Sequence, residues 1–561
     1  MRLWPGVGVA GLMVVLKLSI SVVLPRFEGF RITFLAGLVG SLAIVVWWVG
    51  FSTASRFERV LVTGVMAGAL VTTWWLAHPS MSMMWFLACA VPVAGISWVV
   101  WAVVTHRRPV AWRGGVLVAL IAATVGGWSL LRMDGLRGDH AFQFSWRWWD
   151  SPEEQLLEGG PTADPVAAPL VCQGGDQIDW PGFRGPRRDG VVFGSRIATD
   201  WRTSPPEVVW RRSVGPGWSS FAVAADRFFT QEQLGSDEVV TCYHLTTGDI
   251  VWRHADEARF EESMGGPGPR STPAVHSGRV VALGATGILN TLDADTGELL
   301  WSRDLTTDAD EPVPFWGFAA SPLLLEDRVV VAASGRVLVY DSASGAVLWK
   351  GPDRGMSYSS PHLLRLGGVP QIVHLNHTGV SGLSPDDGAE VWHHPWKGAA
   401  LVQPAAIDSR HLLISAGEGK GVRRLSVSKR SGRWNVKEVW TSHRLKPNFN
   451  DFVIHHGHAY GFDGRILASV DLADGSRSWK GGRYGHGQLL LLADQDLLLV
   501  VSEGGDAILV SATPEAFVEL ARQPLLEGKT WNHPVLVGDL LLLRNAQEMA
   551  VLRLPSGREA G

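Results

Sequence analysis

Histidines cluster at three places in the second half of the chain, and imidazole nitrogens are well suited to bind a transition metal or to transfer protons. The clusters are His374 with His377, His393 with His394, and His455, His456 and His458. None has the spacing of a metal-binding pair on a helix. Alternate residues of a strand share a face, so His456 and His458 could point together. Hydrogen bonding at the surface or between sheets is the favoured interpretation, and the sequence assigns no metal.

Oxygen donors for a hard cation occur locally in Asn448-Phe-Asn450-Asp451, but Asn and Asp also stabilise turns, and a polar turn is the favoured interpretation. The stretch Gly265-Gly-Pro-Gly268 is interrupted by proline, so a phosphate-binding loop is not predicted. The three cysteines are too few and too scattered for a zinc site or a disulfide framework. We therefore assign no catalytic, cofactor-binding or metal-binding residue.

The charge balance argues against nucleic acid as a partner. The chain has 50 Lys and Arg against 54 Asp and Glu. No long basic run is present to neutralise a phosphate backbone. The 27 Trp and 64 Gly instead favour a turn-rich β architecture, which needs glycine at positive φ and large aromatic rings between sheets.

The first 131 residues predict an α-helical transmembrane bundle. Five apolar stretches, each near the length needed to cross about 30 Å of hydrocarbon, occupy residues 5–25, 32–51, 60–77, 83–104 and 114–131. The arginines of alternate connectors place the N-terminus in the cytoplasm. An odd number of spans then puts the rest of the chain on the far side. We therefore expect a multi-pass protein of the inner membrane with a periplasmic domain.

Residues 132–178 predict a juxtamembrane segment and linker. Aromatic residues alternate with polar ones over 142–148, which fits either a strand or an interfacial aromatic belt. Ser151-Pro-Glu-Glu154 has the residues of a helix N-terminus, so a short helix is expected through Leu157. The stretch 159–175, rich in Gly, Pro and Ala, predicts the linker itself.

A repeat of roughly 39 to 49 residues organises the remaining chain, 179–561. Its signature is a polar turn ending in glycine, followed after three residues by tryptophan, as in Thr296-Gly-Glu-Leu-Leu-Trp301. The same tryptophan position is filled by Trp252, Trp349, Trp392 and Trp479. Each period contains three or four short β-rich runs, which is the pattern of one four-stranded antiparallel propeller blade.

The number of blades follows from a second marker, a small or polar residue that begins each first strand. The series is Ser220, Thr272, Ser321, Ser360, Gln403, Asp451, Gly487 and His533. Eight starts predict an eight-bladed all-β propeller. The strand around Val208-Val-Trp210 precedes the first start, so we expect it to complete the last blade and close the ring.

The repeat resembles that of the pyrroloquinoline-quinone-type (PQQ-like) propeller family, and Asp179-Trp-Pro-Gly-Phe-Arg-Gly-Pro-Arg-Arg-Asp-Gly190 resembles the opening of many such bacterial propellers. The resemblance implies the fold. The family includes quinoprotein dehydrogenases and the propeller lipoprotein of the outer-membrane protein assembly machinery, so the fold does not choose between enzyme and scaffold. The large insertions of the dehydrogenases and their vicinal cysteine pair are absent from this sequence.

The starts of the first strands are expected to face one mouth of the central channel. There, large polar or aromatic residues are harder to explain by packing than small ones. The candidates for binding are Arg270, Trp316, His486, Trp531 and Arg544.

We predict a membrane-anchored binding or scaffolding module of the cell envelope, without catalysis or cofactor, whose partner is an envelope protein or peptide. The alternative is a membrane-bound quinoprotein dehydrogenase of sugars or alcohols, which would need PQQ and Ca²⁺. A sensor of an envelope ligand is a third possibility.

Overall fold

The computed structural model describes residues 3–23, 26–138, 141–159, 179–417 and 419–557. It divides into two compact units. The first contains Met1–Asp150 and Ser263–Gly266, and the second contains Ser151–Glu262 and Pro267–Gly561.

The first unit is built mainly from apolar helices. They span Trp4–Val23, Arg26–Val46 with a π-helical continuation Trp47–Phe51, Arg56–Leu76, Met83–Trp85 continued by Phe86–Ala90 and Val91–Thr105, and Val110–Ser129. Among the described residues, four helical segments are long and apolar enough to cross a membrane, and Trp4–Ile20 is a shorter apolar helix. These segments are compatible with a multi-pass membrane protein, as the five sequence stretches predict.

Tryptophans form the centre of the helical unit. Trp48 is fully buried, and its ring centroid lies 5.7 Å from that of Trp98 and 5.7 Å from that of Trp101. Strands Leu131–Leu136 and Phe142–Trp146 follow the last helix and pair antiparallel. The aromatic alternation over 142–148 therefore includes a strand.

The second unit begins with helix Pro152–Gly159. Its start is a capping box, since the Glu154 N–H donates to Ser151 Oγ at 3.1 Å and the Ser151 N–H donates to Glu154 Oε2 at 2.6 Å. The predicted short helix is thus present. Apart from Gly159, the predicted linker 159–175 lies outside the described residues.

Within the described residues the strands form eight blades of four antiparallel strands. We number them from the blade that begins after Ser220. Blade 1 has Ala222–Ala224, Arg227–Leu234, Asp237–His244 and Ile250–Asp256; blade 2 has Ala274–His276, Arg279–Leu283, Ile288–Asp293 and Leu299–Asp304; blade 3 has Leu323–Leu325, Arg328–Ala333, Arg336–Asp341 and Val347–Lys350; blade 4 has His362–Leu366, Val369–Asn376, Gly379–Leu383 and Glu390–Pro395. Blade 5 has Ala405–Asp408, His411–Ser415, Val422–Arg430 and Arg433–Ser442; blade 6 has Val453–His455, His458–Asp463, Ile466–Asp471 and Arg477–Arg483; blade 7 has Gln488–Leu492, Leu497–Val501, Asp506–Ser511 and Glu519–Pro524; blade 8 has Val535–Val537, Leu540–Arg544, Glu548–Arg553 and Glu207–Ser213.

Short elements complete the second unit. They are the strands Asp179–Trp180, Val191–Val192 and Glu261–Glu262, the helix Leu305–Ala309 and the 3₁₀ turn Ala493–Gln495. The strand Gly266–Pro267 begins at the last residue of the first unit.

Blade 8 closes the ring as the leftover strand predicts. Its outer strand Glu207–Ser213 comes from the beginning of the propeller and pairs with Glu548–Arg553 from the end. First strands of neighbouring blades contact one another, for example those of blades 1, 2 and 3, so they form the inner wall. Each described first strand starts one or two residues after its predicted blade start. The eight-bladed fold is confirmed.

Candidate functional site

The chain crosses the interior of its own propeller before blade 1 begins. We call residues 179–192 the crossing segment. Asp179–Trp180 pairs with Val223 and Ala224 in the first strand of blade 1, and Val191–Val192 pairs with Leu491 and Leu492 in the first strand of blade 7. The opening stretch Asp179 to Gly190, which carried the family resemblance, thus spans the ring from one inner strand to another.

Hydrogen bonds fix the crossing segment to further blades. Arg188 donates from Nη1 to Pro322 O at 2.7 Å and from Nη2 to Ser321 O at 3.0 Å. Arg184 Nη2 donates to Phe452 O at 2.8 Å, and the Val275 N–H donates to Pro181 O at 2.8 Å. Blades 2, 3 and 6 are therefore bound as well as blades 1 and 7. The segment is thus bonded across the ring to five of the eight blades.

The interior around the crossing segment carries buried charge. Arg184 Nη1 lies 3.6 Å from Asp451 Oδ1, and both side chains are buried. Burial and the neighbouring Arg184 lower the pKa of Arg188 to about 9, while burial raises the pKa of Asp451. Burial, together with Arg184, lowers the pKa of His533 to about 3. Two guanidinium groups thus face one carboxylate.

We call the eight blade starts the polar ring, and hydrogen bonds between blades join several of its members. The N–H of Ser220 donates to Thr272 Oγ1 at 3.0 Å, and the N–H of Thr272 donates to Ser321 Oγ at 2.9 Å. The N–H of Ser321 donates in the same way to Ser360 Oγ at 2.9 Å. A hydroxyl residue is therefore needed at these positions for structural reasons, since each hydroxyl accepts a hydrogen bond from a backbone N–H of the preceding blade.

Gln403 differs from the other members of the ring. Its N–H donates to Asp451 Oδ1 at 2.7 Å. Its side-chain amide is buried, and neither of its polar atoms has a hydrogen-bonding partner among the described residues. A buried amide without a partner is costly, so this position offers hydrogen bonds to a bound group.

Two of the five predicted binding residues come together in an aromatic cluster. We call Trp218, Phe449, His486 and Trp531 the mouth cluster. The Trp531 ring centroid lies 4.8 Å from that of Trp218 and 4.9 Å from that of Phe449, and the Phe449 centroid lies 5.7 Å from His486. Trp218, Phe449 and Trp531 are each partly exposed. All four residues lie in the connectors that precede blades 1, 6, 7 and 8.

Charged side chains lie against the mouth cluster: Glu503, its ion-pair partner Arg465 at 3.9 Å, and Lys529. Trp531 Nε1 donates to Glu503 Oε1 at 3.1 Å, and the His486 N–H donates to Glu503 Oε2 at 3.2 Å. Glu503 is buried. Lys529 Nζ lies 4.4 Å from the Trp531 ring centroid and 5.0 Å from that of Trp218, within cation–π range. The rings are thus held in place while part of their surface stays accessible.

Trp316 and Arg270 lie in other connectors of the second unit. Trp316 packs against Tyr358, with 4.9 Å between ring centroids. Arg270 is buried and forms an ion pair with Glu262, with 3.1 Å between Nη2 and Oε1. Its guanidinium also lies 5.1 Å from the ring centroid of Phe260. Arg270 therefore has protein partners that already compensate its charge.

Arg544 is placed in the interior of the propeller. Only 1 % of this residue is exposed. Nη1 donates to Thr230 Oγ1 at 2.6 Å and to Gln231 O at 2.9 Å, and Nη2 donates to Gly215 O at 3.0 Å. These bonds tie blade 8 to blade 1, which gives Arg544 a structural role in addition to the predicted one.

A regularity in the sequence would have found the residues that our reasoning missed. Trp218, Phe449 and Trp531 each stand two positions before a blade start, namely Ser220, Asp451 and His533. Tyr358 and Arg270 stand in the same position before Ser360 and Thr272. Residues two apart in an extended connector share a face, so the repeat itself marks this position near the mouth, and five of the eight blades fill it with an aromatic residue or an arginine.

The residues 448–451 do not fit a calcium ion. Asn450 Oδ1 accepts from the Asn448 N–H at 2.9 Å, and Asn450 Nδ2 donates to Gly487 O at 3.2 Å. Asp451 accepts from Gln403 and lies beside Arg184, with Arg188 acting on it electrostatically. A divalent cation needs surplus negative oxygen ligands, whereas this carboxylate already faces two positive groups. The polar-turn interpretation agrees with this geometry.

The fold and its repeats define the class of protein. The second unit is an eight-bladed propeller of the PQQ-like repeat family, and the family model described as "Outer membrane protein assembly factor BamB" matches residues 202–352 and 236–481. No curated protein matches this sequence.

Solved structures share this fold at low sequence identity. BamB from Moraxella catarrhalis is 17% identical and aligns over 61% of this chain and 95% of its own, with a TM-score of 0.43. The quinohemoprotein alcohol dehydrogenase ADHIIG from Pseudomonas putida HK5 is 13% identical and aligns over 68% and 81%, with a TM-score of 0.50. The quinohemoprotein alcohol dehydrogenase from Comamonas testosteroni is 11% identical over 68% and 82%, with a TM-score of 0.47. At such identities a likeness shows the fold alone.

Proposed function

We propose that this protein is a membrane-anchored recognition module of the cell envelope, which binds a peptide segment of an envelope protein at the mouth cluster. In this proposal the chain sits in the inner membrane, the propeller is periplasmic, and binding requires neither cofactor nor catalysis. The apolar helices of the first unit support the anchoring, and the family match supports a protein-binding role.

The observation that carries the proposal is the crossing of the ring by the chain itself. The crossing segment fills the ring from blade 1 to blade 7, and its arginines bind blades 3 and 6. The interior is therefore engaged by protein groups, while partly exposed aromatic rings lie at the connectors. This arrangement favours recognition at a surface over chemistry in a deep cavity.

The composition of the mouth cluster matches an interface anchor. Tryptophan and other large aromatics supply much of the binding energy in protein interfaces because they bury a large area with few rotatable bonds. The ring of Trp531 lies within 5 Å of those of Trp218 and Phe449, and Lys529 flanks it, so the cluster suits an apolar side chain next to an acidic or carbonyl group. The ligand class is thus an extended peptide with an apolar anchor.

Site-specific photocrosslinking in cells tests this binding face. A photoreactive phenylalanine analogue at Phe449 is expected to give a discrete envelope-protein adduct. The same analogue at Leu348, an exposed residue on the outer strand of blade 3, is the matched control and should give none. Loss of the adduct when Trp218 and Trp531 are both changed to alanine would support the proposal. Equal adducts at both positions would contradict it.

The dehydrogenase alternative is tested on the full-length chain in detergent. The protein is titrated with PQQ and Ca²⁺ while tryptophan fluorescence is followed, and dye reduction is then measured with sugars and alcohols. We expect neither saturable quenching nor dye reduction. Saturable micromolar binding with dye reduction would overturn the recognition proposal and make the protein a quinoprotein dehydrogenase.

A further inference from the structure

A group of metal-binding side chains lies between blades 6 and 7, apart from the mouth cluster. His455 ends the first strand of blade 6, His456 follows it in the turn, and Asp496 lies in the corresponding turn of blade 7. Asp496 Oδ1 is 2.6 Å from His455 Nε2 and 3.3 Å from His456 Nε2. The donor atoms of the three residues all lie within 4.8 Å of one another. Two imidazoles and one carboxylate thus converge on one point.

The local backbone directs these side chains together. His456 has φ 45° and Gly457 has φ 78°, so the turn after His455 is of the left-handed type that closes short hairpins. Asp496 also has positive φ, 52°. Blades 1 and 2 place Ala225 and Ser277 at the position of His456, with φ 51° and 49°. The turn geometry is therefore common to several blades, whereas the histidine is particular to blade 6.

This donor set suits a first-row transition metal. Imidazole nitrogen and carboxylate oxygen bind Zn²⁺ at about 2.0 to 2.2 Å, which places the ligand atoms of a tetrahedral site about 3.3 Å apart. The 3.3 Å between His456 Nε2 and Asp496 Oδ1 equals this value. The 2.6 Å between His455 Nε2 and Asp496 Oδ1 is a hydrogen-bond distance, so these two atoms must move apart when an ion binds, and the exposed Asp496 side chain has room to do so. Hard cations such as Ca²⁺ and Mg²⁺ prefer oxygen ligands alone. We propose that His455, His456 and Asp496 form a Zn²⁺ site that links blades 6 and 7.

The site has a structural consequence and an open position. A bound ion joins two hairpins of neighbouring blades, so it stabilises the folded protein by an amount that rises with the logarithm of the free Zn²⁺ concentration above the Kd. Three protein ligands leave at least one coordination position for water or an external donor, because zinc in proteins takes four ligands or more. His458 is not a member of the converging group, and its Nδ1 lies 3.1 Å from His456 O. The sequence pattern suggests that His456 and His458 could share a strand face, whereas in the structure His456 converges with His455.

Zinc titration of the full-length chain in detergent tests the proposal, using protein without a polyhistidine tag. We expect wild type to bind one Zn²⁺ more than His456→Asn or Asp496→Asn, with at least tenfold weaker binding at this site in either variant. Asparagine tolerates positive φ, so both variants keep the turn. X-ray absorption at the zinc edge should show two imidazole nitrogens at about 2.0 Å in wild type.

His276→Ala is the matched control, because His276 occupies in blade 2 the strand-end position that His455 occupies in blade 6. This variant should bind zinc as wild type does. Zinc should also raise the melting temperature of wild type and of His276→Ala but not of the two site variants. Equal zinc stoichiometry and equal thermal shifts in wild type and His456→Asn would overturn the proposal and leave an ion pair only.

Discussion

The indole ring of Trp301 in blade 2 packs on the backbone of Gly345 in the turn of blade 3. A Cβ atom at Gly345 would lie 2.7 Å from Trp301 Cδ2, and Gly345 has φ 69°. Trp301 Nε1 donates to Ser342 O in the same turn at 3.0 Å. The glycine and the tryptophan of the repeat therefore meet across a blade boundary, where the ring needs a turn without a side chain.

Gly345→Ala is expected to destabilise the propeller by more than backbone strain alone. The alanine would adopt a left-handed conformation, which costs about 1 to 2 kcal/mol, and would also displace the indole ring. Gly464→Ala is the control, since Gly464 has φ 68° but no atom within 4 Å of the added Cβ. Thermal melts followed by tryptophan fluorescence compare the two variants. Equal losses in stability would show that the Trp301 contact contributes nothing.

Trp210→Ala is expected to weaken the closure of the ring. Trp210 lies in the outer strand of blade 8, donates from Nε1 to Leu245 O of blade 1 at 2.9 Å, and packs on Gly248. Truncation of a buried tryptophan costs about 3 to 5 kcal/mol. Trp440→Ala removes the same link between blades 5 and 6, away from the ends of the propeller.

Urea denaturation of both variants distinguishes the loss of one bond between blades from a weakened closure of the ring. Trp210→Ala should lose more stability and become cleavable by protease near 207–213, because the closing strand Glu207–Ser213 then leaves blade 8 more easily. Identical denaturation and cleavage in the two variants would contradict a special role for the closing strand.

Arg544→Met is expected to lower the melting temperature strongly, by a loss of about 3 kcal/mol. Its buried guanidinium donates to Thr230, Gln231 and Gly215, and removal leaves these acceptors unsatisfied in the interior. Trp531→Ala, at the partly exposed mouth, should cost much less. A melting temperature unchanged by Arg544→Met would contradict the structural role.

The propeller is expected to lose stability as the pH falls from 6.5 towards 4. Burial lowers the pKa of His374 from 6.5 to about 4, so in this window the unfolded chain binds a proton that the folded chain does not. The free energy of unfolding then rises with pH, by up to about 1.4 kcal/mol per pH unit for this residue. The contribution is complete above pH 6.5 and is lost as the pH falls through 4.

His374→Gln removes this titration, so its stability should depend less steeply on pH than that of wild type. Urea midpoints measured from pH 4 to 7 compare the two proteins. Parallel curves would show that His374 titrates alike in the folded and unfolded chain. The difference between the proteins cancels the contributions of other buried groups, such as Glu238, whose pKa burial raises to about 7.

The repeat explains why the fold could be predicted. Trp252, Trp301, Trp349 and Trp479 each donate from Nε1 to a backbone carbonyl of the next blade, so the same local rule recurs around the ring. The step from blade 4 to blade 5 is the exception, because the hairpin of blade 5 is longer and extends to Arg430 and Arg433. Trp392 of blade 4 accordingly bonds to Gln371 in its own blade. In a repeat protein each repeat packs against the repeats next to it, so a periodic sequence pattern predicts these contacts and hence the propeller.

The candidate site was only partly predictable. His486 and Trp531 were selected because they lie near blade starts, and the structure brings them together with Trp218 and Phe449. Arg270 and Arg544 have equally suggestive positions, but each is buried with protein partners. The sequence shows where a side chain stands in the repeat. It does not show whether the neighbouring blade satisfies its charge.

The sequence by itself determined the apolar helices, the eight blades, their starts and the closing strand, because these depend on periodicity and on contacts between adjacent repeats. Only the tertiary structure decided the path of the crossing segment and the meeting of Trp218 with Trp531 and of His455 with Asp496. Trp218 and Trp531 lie far apart in the sequence and become neighbours when the ring closes. Contacts of this kind depend on the geometry of the whole ring, which no local pattern encodes.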